Sequence, residues 1–180
     1  MTNIQRRRMA MMVAVKRDTK KWIYNTGTDY VNFEIMDLLG NAHARFTKND
    51  DNIEIFRTGM DSIWTARCFV ASVDVSGFNK ICYNGSVYNS ATDLNCRIGI
   101  IVANNLLWPY STSSISYMGM GGKNILKQYT WSADRTGTWE FDEEFDISNI
   151  DDTVYLMLFC NNGGGSSKSA YVKFKQIWME

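Results

Sequence analysis

The sequence has little of what enzymes commonly use for chemistry. It contains one histidine, His43, and one proline among 180 residues, and its 19 basic side chains are balanced by 19 acidic ones. Without net charge, no whole-molecule field exists to hold a nucleic acid or an anionic membrane by counterion release. No nucleophile elbow, phosphate loop or dinucleotide fingerprint is present, and neither Ser nor Cys neighbours His43. We therefore expect no nucleic-acid or membrane partner, no catalytic residues, and a structural or surface role for His43.

The four cysteines are far apart and form no C-x-x-C pair. With one histidine as the only imidazole partner, this spacing argues against a zinc site. Three of the four lie in alternating apolar runs, where a cysteine behaves as a small buried hydrophobe. We expect reduced thiols and synthesis in a bacterial cytoplasm, since a disulfide framework is the less favoured alternative. The residues concerned are Cys68, Cys82, Cys96 and Cys160.

The first residues superficially resemble a signal peptide, with Arg6 to Arg8 placed before an apolar run from Met9 to Val15. That run is at the short limit, has no convincing cleavage site and is followed at once by Lys16 and Arg17. A transmembrane span needs ~20 apolar residues. The sequence predicts neither, and instead predicts an arm or short helix over residues 1–20 and a folded domain over 21–180. Such an arm commonly docks on a neighbouring subunit.

Beyond about Lys20 the hydrophobic period is two, and Gly, Asn, Asp and Ser clusters separate the runs. This pattern predicts an all-β domain of roughly eight to ten strands, at spacings typical of sandwiches and barrels. The run from Val154 to Cys160 is apolar on both faces, which predicts a central strand. The apolar phase shifts between Phe174 and Ile177, which predicts a β-bulge near Lys175 or Gln176.

Carboxylates recur on one face of the run from 138 to 147, at Glu140, Asp142, Glu144 and Asp146. They could suggest cation binding or paired acid and base chemistry. Glycosidase carboxylates, however, flank their substrate from different elements, with one of them in an apolar pocket. A solvated strand face that resists edge-to-edge aggregation is the favoured interpretation.

Two further clusters, Asp50-Asp51-Asn52 and Asp151-Asp152, could lend oxygens to Ca²⁺. Asp and Asn side chains that bond their own backbone in turns explain both clusters more simply. We predict no cofactor, and a structural calcium ion is an option without support.

Two segments of the sequence repeat the same pattern. In the segments 73–78 and 145–150 an apolar-Asp-apolar-Ser strand end leads into a turn, an apolar residue follows, and a new strand begins. We expect the Ser hydroxyl to cap each turn. The phrase V-D-V-S-G-F-x-K-I at Val73 to Ile81 resembles the strand-turn-strand of jelly-roll domains in tail and baseplate proteins of bacteriophages and prophages. The closing segment Val172 to Trp178 fits the same pattern, and those domains are similar to carbohydrate-binding modules. The opening I-Q-R-R-R-M-A-M-M resembles the start of small phage tail proteins.

The resemblance implies a two-sheet antiparallel β-sandwich (jelly roll) and a non-enzymatic virion component of the tail, with other tail subunits as partners. It also implies a homo-oligomer and possible contact with a bacterial cell-surface saccharide. Sugar rings stack on Trp and Tyr, so the ligand candidates are aromatic residues that lie in loops or on the strand face opposite the core. Trp108→Ala is expected to weaken saccharide binding while the fold stays intact. A purely structural virion protein is the alternative, and a cell-wall hydrolase the third. The candidates are Trp108, Tyr110, Tyr83, Tyr88, Tyr117 and Tyr155.

Overall fold

A computed structural model of the chain describes residues 20–37, 44–58, 67–90, 93–103, 125–133, 136–161 and 169–180. Every regular element in these ranges is a β-strand. The twelve strands are β1 (Lys21–Asn25), β2 (Thr28–Asp29), β3 (Glu34–Asp37), β4 (Ala44–Lys48), β5 (Ile53–Thr58), β6 (Arg67–Asp74), β7 (Lys80–Asn89), β8 (Asp93–Ala103), β9 (Ile125–Ala133), β10 (Gly137–Asp146), β11 (Thr153–Asn161) and β12 (Ser169–Met179).

The strands form two antiparallel sheets. Sheet A has the order β10-β7-β12, and β12 then pairs with β1-β2 along its C-terminal part and with β5-β4 along its N-terminal part. Sheet B has the order β3-β6-β11-β8-β9. From β5 onward successive strands alternate between the sheets, except β8 and β9, which are neighbours in sheet B. The predicted all-β, two-sheet sandwich of the jelly-roll kind is confirmed.

The core lies between the sheets and is built from alternate residues of strands in both of them. On β11 the side chains of Val154, Leu156, Leu158 and Cys160 are all buried, and this strand lies between β6 and β8, as a central strand should. Sheet A contributes Ile81, Tyr83, Val87, Val172 and Phe174 to the same hydrophobic cluster. The predicted central position of the 154–160 run and the predicted burial of Cys82 and Cys160 are confirmed.

The two echoed segments form equivalent turns. The Ser76 amide donates to Asp74 Oδ1 at 3.0 Å, and the Ser148 amide donates to Asp146 Oδ1 at 2.8 Å. The carboxylate therefore caps each turn, where the sequence had indicated the Ser hydroxyl; an Asp side chain reaches an amide two residues ahead with less strain. Hydrogen bonds from Ser76 hold the pKa of Asp74 below its usual value. The side chains of Phe78 and Ile150, each 8% exposed, then pack into the core.

A β-bulge interrupts the pairing of β12 with β7 between Phe174 and Gln176, where the sequence predicts it. Opposite the bulge stands Gly85, whose neighbours across the sheet are Phe141 and Phe174. The rings of those two phenylalanines meet edge to face at 5.8 Å. A Cβ on residue 85 would lie 1.9 Å from the Lys173 carbonyl oxygen, so the bulge and the ring contact require glycine here.

Two predictions need comment. The described ranges hold more strands than the predicted eight to ten, because β2, β3 and β4 have five residues or fewer and carry too little of a period-two signal. His43 and the arm predicted over 1–20, apart from Lys20, lie outside the described residues. Within the described ranges, no helix is long and apolar enough to cross a membrane.

Candidate functional site on the outer face of sheet A

The outer face of sheet A, which points away from the core, carries side chains in rows that the strand register fixes. One row runs Thr138, Tyr88, Tyr171, Phe56 and Arg45 across β10, β7, β12, β5 and β4. The next two rows are polar, and a fourth carries Trp178 and Trp22. From Tyr88 to Cys82, which pairs with Trp178, β7 extends about 20 Å at ~3.3 Å per residue. The face thus has aromatic groups at both ends and polar side chains between them.

The first aromatic group consists of Tyr88, Tyr171 and Phe56, all partly exposed. The rings of Tyr88 and Tyr171 are stacked, with centroids 5.0 Å apart and planes 19° from parallel. The Lys173 ammonium lies 5.0 Å from the centre of the Tyr171 ring, and the Arg45 guanidinium lies 4.8 Å from that of Phe56. Stacking and cation–π contacts hold these rings in defined positions.

A chain of side-chain amides crosses the middle of the face. Asn84 Nδ2 donates to Gln176 Oε1 at 2.8 Å, and Gln176 Nε2 donates to Asn25 Oδ1 at 2.9 Å. Asn84 Oδ1 is buried and has no hydrogen-bond partner within the described part of the chain. A buried amide oxygen without a partner is costly, so a rotation of the Asn84 side chain that brought this acceptor to a hydroxyl or amide donor would be favourable.

A shallow cleft of about 400 Å³ lies over this amide chain. Glu140 and Asp142 of β10 form one wall, and Lys175 and Thr26 form the other. The bulge makes this second wall, because the Thr26 amide donates to the carbonyl of the bulged residue Lys175 at 2.9 Å. The Lys175 ammonium also approaches Glu140 Oε2 at 3.4 Å across the cleft. The cleft therefore offers carboxylate, amide and ammonium groups within one small space.

An ion-pair cluster of one carboxylate and two cations borders the polar region at β5. Glu54 accepts from Arg45 at 3.1 Å and pairs with Lys173 at 3.2 Å. Its side chain is only 13% exposed, so the carboxylate is held between two cations. This arrangement fixes Lys173 beside the Tyr171 ring and provides a rigid border to the face.

The second aromatic group is the pair Trp22 and Trp178 on neighbouring strands β1 and β12. Their ring centroids are 5.8 Å apart and their planes are inclined by 59°. The Lys20 ammonium stands 3.9 Å from the centre of the Trp22 ring and 3.8 Å from that of Trp178. The two rings therefore form a notch that already holds a cation.

Beside the tryptophan pair, Cys82, Glu144 and Glu180 bring one thiol and two carboxylates within 4.8 Å of one another. Burial raises the pKa of the Cys82 thiol to about 12, and a hydrogen bond to Glu180 adds to this effect. Glu144 is paired with Lys80 at 2.6 Å. The thiol and both carboxylates therefore already have partners, since Cys82 donates to Glu180 and Glu144 pairs with Lys80.

The aspartate clusters behave as turn formers where they are described. Asn49 Nδ2 donates to Asn52 Oδ1 at 2.9 Å, and the Asn49 amide donates to the Asn52 carbonyl at 2.8 Å. Asp152 Oδ1 accepts from the amide of Thr153 at 2.7 Å. Asp152 therefore bonds the backbone of its own turn, in agreement with the interpretation favoured from sequence, whereas Asn52 Oδ1 accepts from a neighbouring side chain.

The structure separates the predicted ligand candidates. Tyr88 lies on the outer face of sheet A. Tyr83 is 0% exposed and packs against Phe141 and Phe145 in the core, which removes it from the surface candidates. On β7, Tyr83 lies between Cys82 and Asn84, which belong to the outer face, so Tyr83 faces the core. Tyrosine is also a common ligand-binding residue, which is why it was among the candidates. Tyr155 lies on the outer face of sheet B, away from Tyr88. Trp108, Tyr110 and Tyr117 lie outside the described residues.

Sequence reasoning missed the other members of the face, namely Phe56, Tyr171, Trp22 and Trp178. Each has at least one buried neighbour in the sequence, and the alternation is complete for Tyr171, which lies between Ala170 and Val172. Their grouping depends on the pairing of β12 with three different strands, which no local pattern indicates. The four carboxylates of β10 are exposed at the edge of sheet A, as the sequence predicts.

No protein-family model matches the sequence, and no curated protein matches it significantly. Solved structures similar to this chain include carbohydrate-binding modules. The family 11 carbohydrate-binding module of a cellulosomal cellulase of Clostridium thermocellum is 14% identical, covering 89% of this chain and 94% of that one, with a TM-score of 0.47. A family 29 carbohydrate-binding module is 9% identical, with coverages of 90% and 91% and a TM-score of 0.44.

A cleaved adhesin domain of Lys-gingipain from Porphyromonas gingivalis is 10% identical, with coverages of 90% and 96% and a TM-score of 0.45. Since each of these TM-scores is below 0.5, the likenesses carry no argument about ligand or function. The comparisons give no support to the resemblance to phage tail and baseplate proteins, which stays a prediction from short motifs.

Proposed function

We propose that this protein is a non-enzymatic binding module whose outer face of sheet A takes a saccharide chain. The observation that carries the proposal is the arrangement of that face, with aromatic groups at both ends and an amide-lined cleft between them. A sugar presents apolar C–H faces and polar hydroxyls together, and this surface offers partners for both.

The aromatic end at Tyr88 and Tyr171 suits a sugar ring. The stacked pair is partly exposed and lies in a row with Phe56, so its edge presents apolar surface on rigid strands rather than on a loop. Rings held in this way lose little conformational entropy when a ligand binds. The polar rows then supply bidentate amides at Asn84 and Gln176, which can donate to and accept from hydroxyl groups.

The carboxylates near the cleft do not form an acid and base pair. Glu140 and Asp142 project from the same exposed strand, and the part of the chain that the structure describes places no apolar pocket around either of them. A glycosidase needs two carboxyl groups on opposite sides of the bond, one of them kept protonated by burial. Their position on one wall of the cleft is suited to accepting hydrogen bonds from sugar hydroxyls.

A glycan array followed by calorimetric titration tests the proposal. Tyr88→Ala and Tyr171→Ala are each expected to weaken binding of the best glycan about three- to tenfold, the worth of one aromatic contact. Tyr155→Ala is the matched control, because Tyr155 is a partly exposed tyrosine on the opposite sheet and should leave the affinity unchanged. Equal losses for all three variants, or an array without any bound glycan, would overturn the proposal.

A more specific hypothesis is that the chain oligomerises, is a component of a phage tail or baseplate, and contacts a bacterial surface. Its support is the motif resemblance given above. Deletion of residues 1–17 tests it: we expect loss of oligomers with saccharide binding retained. A monomeric full-length chain would contradict the oligomer hypothesis without touching the saccharide proposal.

A further inference from the structure

A second feature of the outer face goes beyond saccharide recognition through hydroxyls and ring faces. The notch between Trp22 and Trp178 is occupied by the chain's own ammonium, that of Lys20, at 3.9 Å and 3.8 Å from the two ring centres. Indole is the strongest cation–π partner among the side chains, and walls of several aromatic rings recognise ammonium and quaternary ammonium groups. We propose that the Trp22–Trp178 notch is a binding site for a ligand ammonium group, with Lys20 as the occupant that such a ligand displaces.

The geometry of the notch supports a cation more than an apolar group. The rings are inclined by 59°, so they do not stack on each other and both leave a face open toward the same point. Each tryptophan is partly exposed, on strands whose pairing is fixed by backbone hydrogen bonds between β1 and β12. The site is therefore preformed, and displacement of Lys20 requires motion of one exposed side chain only.

The electrostatic surroundings also favour a cation. Trp178 lies beside Cys82 in the strand register, and the Cys82 thiol donates to Glu180 at 3.2 Å. Glu144 is the next residue in the same row. Two carboxylates thus border the tryptophan pair, whereas one lysine, Lys80, forms an ion pair with Glu144 and also interacts electrostatically with Glu180, so this border adds attraction for an ammonium group.

Lys20 itself is exposed and its contact is weak. A cation–π contact at an exposed site corresponds to about a two- to fivefold change in an equilibrium constant. Removal of Lys20 should therefore improve the affinity for an external ammonium by that factor. Lys21, the adjacent lysine, is also exposed and lies over Phe78 at 5.6 Å, so it offers a control with the same change in net charge.

The test is an NMR titration of the full chain that follows the indole N–H signals of Trp22 and Trp178, assigned with single Trp→Ala variants. Choline is compared with its neutral isostere 3,3-dimethylbutan-1-ol, and a glucosamine trimer with the N-acetylglucosamine trimer. We expect both indole signals to respond to the cationic member of at least one pair and not to its neutral counterpart. Lys20→Ala should tighten that binding about two- to fivefold, while Lys21→Ala should change it by less than half as much.

Each result has a defined meaning. A response to choline alone identifies a small ammonium ligand, and a stronger response to the amino sugar identifies a cationic saccharide; both support the site. Equal responses to charged and neutral compounds, the absence of any response, or equal effects of the two lysine variants would overturn it. Trp22→Ala and Trp178→Ala are each expected to abolish ammonium binding, so the test can still be made if one of the two variants does not fold. The saccharide proposal has its own test at Tyr88 and Tyr171, at the other end of the face, so failure of the notch and failure of saccharide binding are distinguishable.

Discussion

Substitution of Gly85 by alanine tests whether the bulge and the packing beneath the cleft are as described. The added Cβ would lie 1.9 Å from the Lys173 carbonyl oxygen and 2.9 Å from both its carbon and Phe141 Cζ. Overpacking of a core commonly costs ~1–3 kcal/mol. Here the obstruction is backbone of the central strand β12, which no rotamer change relieves, so we expect about 3 kcal/mol.

For a chain of this length, that loss lowers the Tm by about 6–12 °C. Thermal and urea unfolding followed by circular dichroism measure it. Gly77→Ala is the control, because nothing lies within 4 Å of its added Cβ and its φ of 79° imposes only a conformational cost. That cost is ~1–2 kcal/mol for a left-handed residue. A loss at Gly85 no larger than the loss at Gly77 would refute the packing argument.

Three further predictions concern single groups. Because burial raises the pKa of the Cys82 thiol to about 12, iodoacetamide at pH 8 should leave Cys82 unmodified in the folded chain and alkylate it in denaturant, as measured by peptide mass spectrometry. The folded state keeps the thiol proton that the unfolded state loses, so the stability that this thiol contributes should be lost as pH rises from about 9 to about 12. The carboxyl signal of Asp74 should titrate below 3.8 in NMR, and the stability it contributes should be lost as pH falls through that lowered pKa. Glu140→Gln should change the free energy of unfolding by less than about 0.5 kcal/mol in urea, because its pair with Lys175 is solvent-exposed.

The sequence predicts the architecture well because a period of two is local. The run that begins at Val154 is apolar on both faces and so identifies a central strand, and the phase change after Phe174 locates a bulge without any knowledge of the partner strand. Both signals arise from single segments. The two Asp-x-Ser turns are also recognisable from the sequence. Only the structure shows that the carboxylates of Asp74 and Asp146 accept the capping hydrogen bonds.

The candidate site was predicted poorly because it is a product of pairing. Tyr88 was recognised as an aromatic outside the core phase, but its partner Tyr171 is more than 80 positions away in the chain. The same holds for Trp22 and Trp178, which meet because β1 pairs with β12. Tyr83 shows the opposite error, since a tyrosine that looks suited to recognition fills the core of the sandwich. Residues that form a face across a sheet share no local pattern, and only the register brings them together.

The most direct test of the central claim is an NMR titration of the isotope-labelled protein with the best glycan from the array. Binding on the outer face of sheet A predicts shifts of backbone amides around Asn84, Glu140 and Gln176, with the side-chain amide of Asn84 among the largest. The amides of β11 in sheet B should move little. Shifts centred on β11 and its Tyr155, with the outer face of sheet A unchanged, would contradict the account.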